Sequence, residues 1–315
     1  MKSSSCGSIA AVNLKEQDLE NLSNISTIRE IMDQFGFQFS KSLGQNFLIN
    51  PGICPKIAEL GGAAENTGVL EIGTGFGVLT HELAKRAKKV VAVELDSRLL
   101  PVLNYTLAEH KNIKIVNEDI LKVDLQKLIA EEFAGMDVYV CANLPYYITS
   151  PVIMALLEQR LPIKAVTVMV QKEAAARLCA KLPSRDCGAV TVAVRYYSEP
   201  KQLFPVSRGS FMPAPNVDSA VIRLDVKEDK PLSGEAEKRL FTVVKGAFSQ
   251  RRKTLCNTIS SSLGFSKIQV AEALQKANIK ETARAEELSL DDFIRFSAQL
   301  YQTMEEGIDY AGNHL

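Results

Sequence analysis

The stretch Val69–Asp96, VLEIGTGFGVLTHELAKRAKKVVAVELD, decides the fold. Val69 to Ile72 is an apolar run short enough for a buried strand. Leu79, Leu83 and Ala87 then recur at helical spacing, and Val90 to Val93 is a second β-branched run. The pattern predicts strand, glycine turn, helix and strand, one unit of a parallel sheet. Gly73, Gly75 and Gly77 fall where the chain must turn sharply and where a ligand can approach backbone that a Cβ would obstruct.

Glu94 ends the second strand on the same edge, where its carboxylate can accept both hydroxyl protons of a ribose. An adenosine-type cofactor lying across the carboxyl ends of the strands fits this unit. A nicotinamide fingerprint, G-x-G-x-x-G, needs glycine at position 78, and Val78 stands there. Glu71, Gly73, Gly75 and Gly77 instead form E-x-G-x-G-x-G, the pattern of an S-adenosylmethionine site. A dehydrogenase is further disfavoured because no histidine stands near a strand end to act as acid or base.

Outward from this unit the alternation continues. Thr27 is the expected N-cap of a helix carrying Ile28, Ile31, Met32 and Phe35, stopped by Gly36; Pro51 opens a second helix with Ile53, Ile57 and Leu60 on its buried stripe. Beyond Glu94, Asp96 caps a helix bearing Leu99, Leu103 and Leu107. Ile113 to Val116 reads as a third strand ending at Glu118 and Asp119, Asp137 to Ala142 as a fourth and Ala165 to Val170 as a fifth. The fold class expected is α/β, a doubly wound class I methyltransferase sheet with a smaller C-terminal helical domain. Val190 to Tyr197 and Ala220 to Val226 are two more β-rich runs, expected as an antiparallel edge. Lys230, Pro231 and Gly234 break the pattern, and Leu240, Val243, Val244 and Ala247 then form a helical stripe. The expected division is 1–26 as a serine-rich extension, 27–232 as the catalytic domain and 233–315 as the helical domain.

The 315 residues, 46% of them apolar, suffice for two domains with a sizeable core. No apolar leader and no run of about 18 apolar residues occurs, so a cytoplasmic protein without membrane contact is expected, acting as a monomer. Six cysteines lack a C-x-x-C pair, and His81, His110 and His314 form no ligand cluster beside them, so neither disulfides nor a metal is expected. The net charge of zero hides a bipolar chain. From Lys238 to Arg284 ten basic residues face only Glu272 and Glu281, and a largely acidic end follows.

The fourth strand runs into Asn143, Leu144, Pro145, Tyr146 and Tyr147. Methyl transfer to an exocyclic amine requires neutral acceptors that aim the amine lone pair at the electrophilic carbon. The Asn143 amide oxygen and the Leu144 carbonyl can accept the two amine protons, Pro145 stiffens the turn, and Tyr146 or Tyr147 can stack on a base. In isolation, NLPYY would read as a loop with two interfacial tyrosines.

Seven motifs in order carry a resemblance. SLGQNFL, LEIGTGFGVLT, VELD, NEDIL, NLPYYITSP, FMPAPNVDSAV and FSQRRKTL resemble those of the rRNA adenine N6,N6-dimethyltransferases that modify 16S rRNA, from about Thr27 to about Leu300. The large-subunit methyltransferases of macrolide resistance share most of these motifs; Ile148 to Pro151 resembles the small-subunit branch. Non-catalytic assembly or transcription factors on this fold are a further alternative, against which intact Glu94, Asp119 and Asn143 argue.

The resemblance implies that Asn46 and Leu48 contact the methionine end of S-adenosylmethionine, Gly73 its centre, Glu94 its ribose and Asp119 its adenine amino group. It places Asn143 between cofactor and substrate, and Phe211 on the face of the target adenine opposite a tyrosine of NLPYY. Outside that order Asn46 would read as a turn residue, Leu48 as core and Asp119 as a helix cap. The implied partner is rRNA within the small ribosomal subunit or its precursor. Arg251, Arg252 and Lys253, expected on a helix face, fit contacts to its phosphates.

Overall fold

The computed structural model describes residues 22–40 and 44–312. Most of the expected N-terminal extension, and Ser42 and Leu43 of SLGQNFL, lie outside them. By its contacts the chain forms two compact units. One runs to Val152 and takes in Leu161–Val170 and Pro205–Val221; the other comprises Ile153–Arg160, Gln171–Phe204 and the chain from Ile222 onward.

The first unit opens with α1 (Ile25–Phe35), β1 (Phe47–Leu48) and α2 (Ile53–Leu60). Strands β2 (Thr67–Ile72), β3 (Lys89–Glu94), β4 (Ile113–Asn117), β5 (Asp137–Asn143) and β6 (Ala165–Gln171) then alternate with α3 (Val78–Ala84), α4 (Leu100–Thr106), α5 (Leu125–Glu132) and α6 (Tyr146–Glu158). β3 pairs in parallel with β2 and β4, and β5 with β2 and β6; Val69 lies opposite Val90 on one side and Tyr139 on the other. Every residue of β2 is buried, as a central parallel strand covered on both faces requires. With β7 (Ser198–Val206) and β9 (Ser219–Val226) the sheet order is β4-β3-β2-β5-β6-β9-β7. The chain leaves β2 toward β3 and β4, then returns to β5, so the order reverses between β2 and β5. Clefts at the carboxyl ends of open α/β sheets form at such a reversal, and Gly73 and Leu144 follow those two strands.

β1 pairs antiparallel with β8 (Phe211–Met212), Leu48 opposite Phe211. Behind this ladder Phe47 stacks on Phe76 with ring centroids 4.3 Å apart, and Phe37 meets Phe76 edge-on at 5.3 Å. These rings belong to a core shared with Ile28, Ile31, Leu99 and Leu103, so the chain around Gly44–Leu48 is anchored by aromatic packing.

The second unit contains α7 (Lys172–Leu178), α8 (Ala189–Tyr197), α9 (Gly234–Ala247), α10 (Leu255–Leu263), α11 (Lys267–Lys276) and α12 (Leu290–Gly312). Leu240, Val243, Val244 and Ala247 are the buried stripe of α9. A Cβ on Gly246 would lie 2.8 Å from Ser262 Oγ and 3.1 Å from Leu263 Cγ, so side chains of α10 pack directly against the backbone of α9 there. The buried Glu237 carboxylate accepts from Tyr197 Oη at 2.5 Å and pairs with Arg160.

Several local expectations are corrected. Val190–Tyr197 is not a strand: Ala189–Tyr197 is helical, and the strand begins at Ser198. Strand preference reflects fit to a half-buried pleated surface. Here Thr191, Val192, Ala193, Val194, Tyr196 and Tyr197 are all buried, a run without strand alternation. Thr191 Oγ1 accepts from Gly188 N and donates to Arg177 O, each at 2.9 Å, fixing the start of the helix. Asn24, not Thr27, caps α1; its side chain accepts from Ser26 N at 3.0 Å, while Thr27 is buried one turn inside. His81 and His110, which the sequence leaves apart, meet with ring nitrogens 2.8 Å from one another. Among the described residues no helix is long and apolar enough to cross a membrane, and the described cysteines form no disulfide.

Candidate cofactor cleft and methyl-transfer site

The glycine turn is built as its sequence demands. Gly73, Gly75 and Gly77 have φ of 78°, 56° and 86°, the left-handed region that a Cβ disfavours. Gly73 N donates to Val93 O at 2.9 Å, tying the turn to the end of β3. At Gly75 a Cβ would come within 2.8 Å of the Phe47 ring. Gly77 caps α3 and packs on Leu107, outside the cleft lining.

Glu94 is buried against this turn. Its Oε2 accepts from Thr74 N at 2.9 Å and Thr74 Oγ1 at 2.8 Å, and its Oε1 accepts from Asp96 N at 2.8 Å. A carboxylate offers about four lone-pair sites, so acceptor capacity toward a ribose hydroxyl remains. Asp96 in turn accepts from Arg98 at 2.6 Å and from Gln45 Nε2 at 2.8 Å. The Arg98 contact, then that from Gln45, holds its carboxyl below the usual range against the opposing effect of burial. Gln45 Oε1 accepts from Ser40 N at 2.9 Å, so one side chain links the Gly44–Leu48 segment to the end of β3.

One cleft in the first unit gathers the rest. Asn46, Leu48, Gly73, Gly75, Glu94 and Asp119 line it together with Asn143, Leu144, Pro145, Tyr146, Tyr147 and Phe211. Asn46 Nδ2 donates to Gly44 O at 3.1 Å, and Asp119 Oδ1 accepts from Leu121 N at 3.1 Å, where it closes the turn after β4. Asn143 is the last residue of β5, and α6 begins at Tyr146, so the Leu144–Pro145 corner is held between a strand end and a helix start. Pro145 O accepts from Ile148 N and Thr149 Oγ1. The two tyrosines differ: Tyr146 Oη shares a 2.7 Å hydrogen bond with Ser219 Oγ, whereas Tyr147 is 61% exposed. Burial raises the Tyr146 phenol, which stays neutral.

Thr74, Gln45 and Ser219 belong to motifs visible in the sequence, but their part in the site emerges only from the fold. Their spacing carries no hint of what they hold. Arg251, Arg252 and Lys253 are all exposed, but they sit in the turn between α9 and α10 and not on a helix face. Arg251 Nη2 donates to Arg185 O at 3.1 Å.

Residues 36–302 match the model of the ribosomal RNA adenine dimethylases. The chain belongs to that family. Among its relatives, ribosomal RNA small subunit methyltransferase A of Anoxybacillus flavithermus is 48% identical over 282 residues, covering 88% of this chain and 96% of that one. The protein of the same name from Geobacillus thermodenitrificans is 49% identical over 276 residues, covering 86% and 94%. Among solved structures, a dimethyladenosine transferase from Plasmodium falciparum superposes with a TM-score of 0.70 at 27% identity, covering 82% of this chain and 98% of that one. The 23S rRNA methyltransferase ErmE gives 0.63 at 28%, covering 82% and 100%. This member of the adenine dimethylase family therefore has the class I methyltransferase fold, as its sequence predicts, and is an S-adenosylmethionine-dependent methyltransferase. The cleft fits the cofactor on its own chemistry: a turn free of Cβ atoms, a buried carboxylate with spare acceptor capacity, and a second carboxylate at the neighbouring strand end.

Proposed function

We propose that this protein methylates N6 of adenines in 16S rRNA, two methyls per base, during maturation of the small subunit. The family match and the naming of its 48% and 49% identical relatives support this reading, and the single observation that carries it is the convergence of Asn143, the Leu144–Pro145 corner and two tyrosines on the cleft beside Glu94. In this reading Glu94 holds the cofactor ribose, Asp119 its adenine amino group, Asn46 and Leu48 its methionine end and Gly73 its centre. Residues 27–232 form the catalytic region, and 233–315 the helical region that grips RNA.

When bound, S-adenosylmethionine supplies an electrophilic methyl on a sulfonium. The target adenine must leave its stack to reach it. In this reading Tyr147, the exposed tyrosine of the cleft, and Phe211 take the two faces of the base. The Asn143 amide oxygen and the Leu144 carbonyl accept the N6 protons and aim the nitrogen lone pair at the methyl, which is orientation and not base catalysis. With the methyl supplied by the cofactor, N6 would carry one proton too many, and the same neutral acceptors, which take up no proton themselves, would let it pass to water. After one transfer a single N–H remains, and the same neutral acceptors can hold it for the second.

The test is incubation of the protein with methyl-labelled cofactor and, in parallel, small subunits or 16S rRNA lacking the modification and 23S rRNA, followed by mapping of methylated adenines. Label in N6,N6-dimethyladenosine of 16S rRNA is expected. Label confined to 23S rRNA, or none, overturns the reading.

A further inference from the structure

Outside the cleft, three side chains of the first unit form a tripod. His81 on α3 and His110, just beyond α4, place Nδ1 and Nε2 2.8 Å apart; Glu109 Oε1 lies 3.5 Å from the first and 3.6 Å from the second. We propose that His81, Glu109 and His110 form a binding site for a divalent transition-metal ion of the zinc class.

The geometry favours this. A point about 1.9 Å from all three atoms lies inside their triangle, so an ion at the usual 2.0–2.1 Å would sit about 0.7 Å above its plane. Tetrahedral ligands at that radius stand about 3.3–3.4 Å apart. The two edges to Glu109 are close to this, and the histidine edge must open by about half an ångström as the proton between the rings gives way. That proton moves to the far nitrogen of its own ring, so two neutral imidazoles and one carboxylate bind the ion without net proton release.

Charge supplies a second reason. The only ion-pair partners of Glu109 among the described residues are these two histidines. No lysine or arginine among them therefore competes for its carboxylate at ion-pair distance. Lys85 nearby is paired with Glu82 at 3.6 Å. The His81 side chain is 3% exposed and that of Glu109 54%, so the ion enters on the carboxylate side and a water completes its fourth position. One feature limits affinity: His81 Nε2 is buried without a partner, and it must carry the proton once Nδ1 binds metal. An unsupported imidazole of this kind weakens a site about 10–100-fold, which places zinc in the micromolar range.

The untagged, metal-free full chain is titrated with Zn2+ against a chromophoric chelator, and separately with Co2+ by absorption spectroscopy. One equivalent of zinc is expected at about micromolar affinity, weakened about tenfold in Glu109→Gln and at least thirtyfold in His110→Ala. Co2+ should give visible bands without thiolate charge transfer. Glu109 is exposed, so Glu109→Gln keeps the test valid if His110→Ala folds poorly. Absence of a saturable equivalent, unchanged affinity in the variants, or a thiolate band placing the ion on cysteines overturns the site.

Discussion

Glu94 and Thr74 form a two-point contact: backbone N–H and hydroxyl of the threonine both donate to one carboxylate oxygen, at 2.9 and 2.8 Å. The carboxylate assigned to the ribose thus also braces the turn between Gly73 and Gly75. Glu94→Ala should weaken S-adenosylmethionine by about 1.5–3 kcal/mol through loss of a charged acceptor. Thr74→Val keeps the backbone donor and should cost less. Calorimetric titration with the cofactor checks both, and wild-type affinity in Glu94→Ala rules out the ribose assignment.

Asn143 closes β5 beside the Leu144–Pro145 corner. If it orients the amine in the transition state, Asn143→Ala should slow single-turnover methyl transfer about 10²–10³-fold while RNA binding survives, the usual effect of losing one preorganised polar group. Quenched-flow measurement at saturating RNA reads the step directly; a near-normal rate removes Asn143 from the mechanism.

For Arg251, Arg252 and Lys253, removing each cation that neutralises a phosphate should flatten the plot of log affinity against log salt by about 0.7–0.9. The triple alanine variant should bind matched and unmatched RNAs more weakly alike, with cofactor affinity unchanged, because phosphate interactions position without reading sequence. Arg251 already donates to Arg185 O, so it should contribute least. A wild-type salt slope in the triple variant means that RNA is gripped elsewhere.

Glu71 is the penultimate residue of β2, fully buried with both carboxyl oxygens unpartnered, and the adjacent Thr80 hydroxyl opposes the rise in its pKa without reaching hydrogen-bond geometry. Burial, aided by the charge of Glu94, raises its carboxyl from 4.5 to about 8. The folded chain thus holds a proton that the unfolded chain releases above about 4.5, so the stability this group contributes is full below that pH and is lost as pH rises through about 8. Glu71→Gln stays neutral throughout. Its Tm relative to wild type should climb by several degrees between pH 5 and 9, and a difference flat in pH means that Glu71 is ionised in the fold.

The parallel sheet was legible because buried strands announce themselves as short β-branched runs, and the glycine turn because left-handed backbone restricts residue type. The order of the motifs pointed to most of the residues named for the site that line the cleft, but Gly77 lies outside it, and Gln45 and Thr74 line it unannounced. What escaped the sequence depends on contacts between distant positions. Val190–Tyr197 has strand composition, yet burial of six residues without alternation and the Thr191 hydrogen bonds make it a helix. The same holds for Gln45 reaching Asp96 and for His81 meeting His110, pairs separated by 51 and 29 positions. No local spacing encodes them. Arg251–Lys253 read as a helix face because basic residues flank them on both sides, but the chain turns there.

Gly246 matters beyond packing. Because it lets side chains of α10 pack directly on the α9 backbone, the connection that carries Arg251, Arg252 and Lys253 joins two helices in close contact. Three cations on a flexible strand would surrender backbone freedom each time they engaged an anion. On this link most of that freedom is already gone when the chain folds, so association loses less entropy. A Gly246→Ala change must displace Ser262 or splay the helices. Its signature would be a more negative association entropy with unchanged charge, a defect visible by calorimetry at a site that touches no ligand.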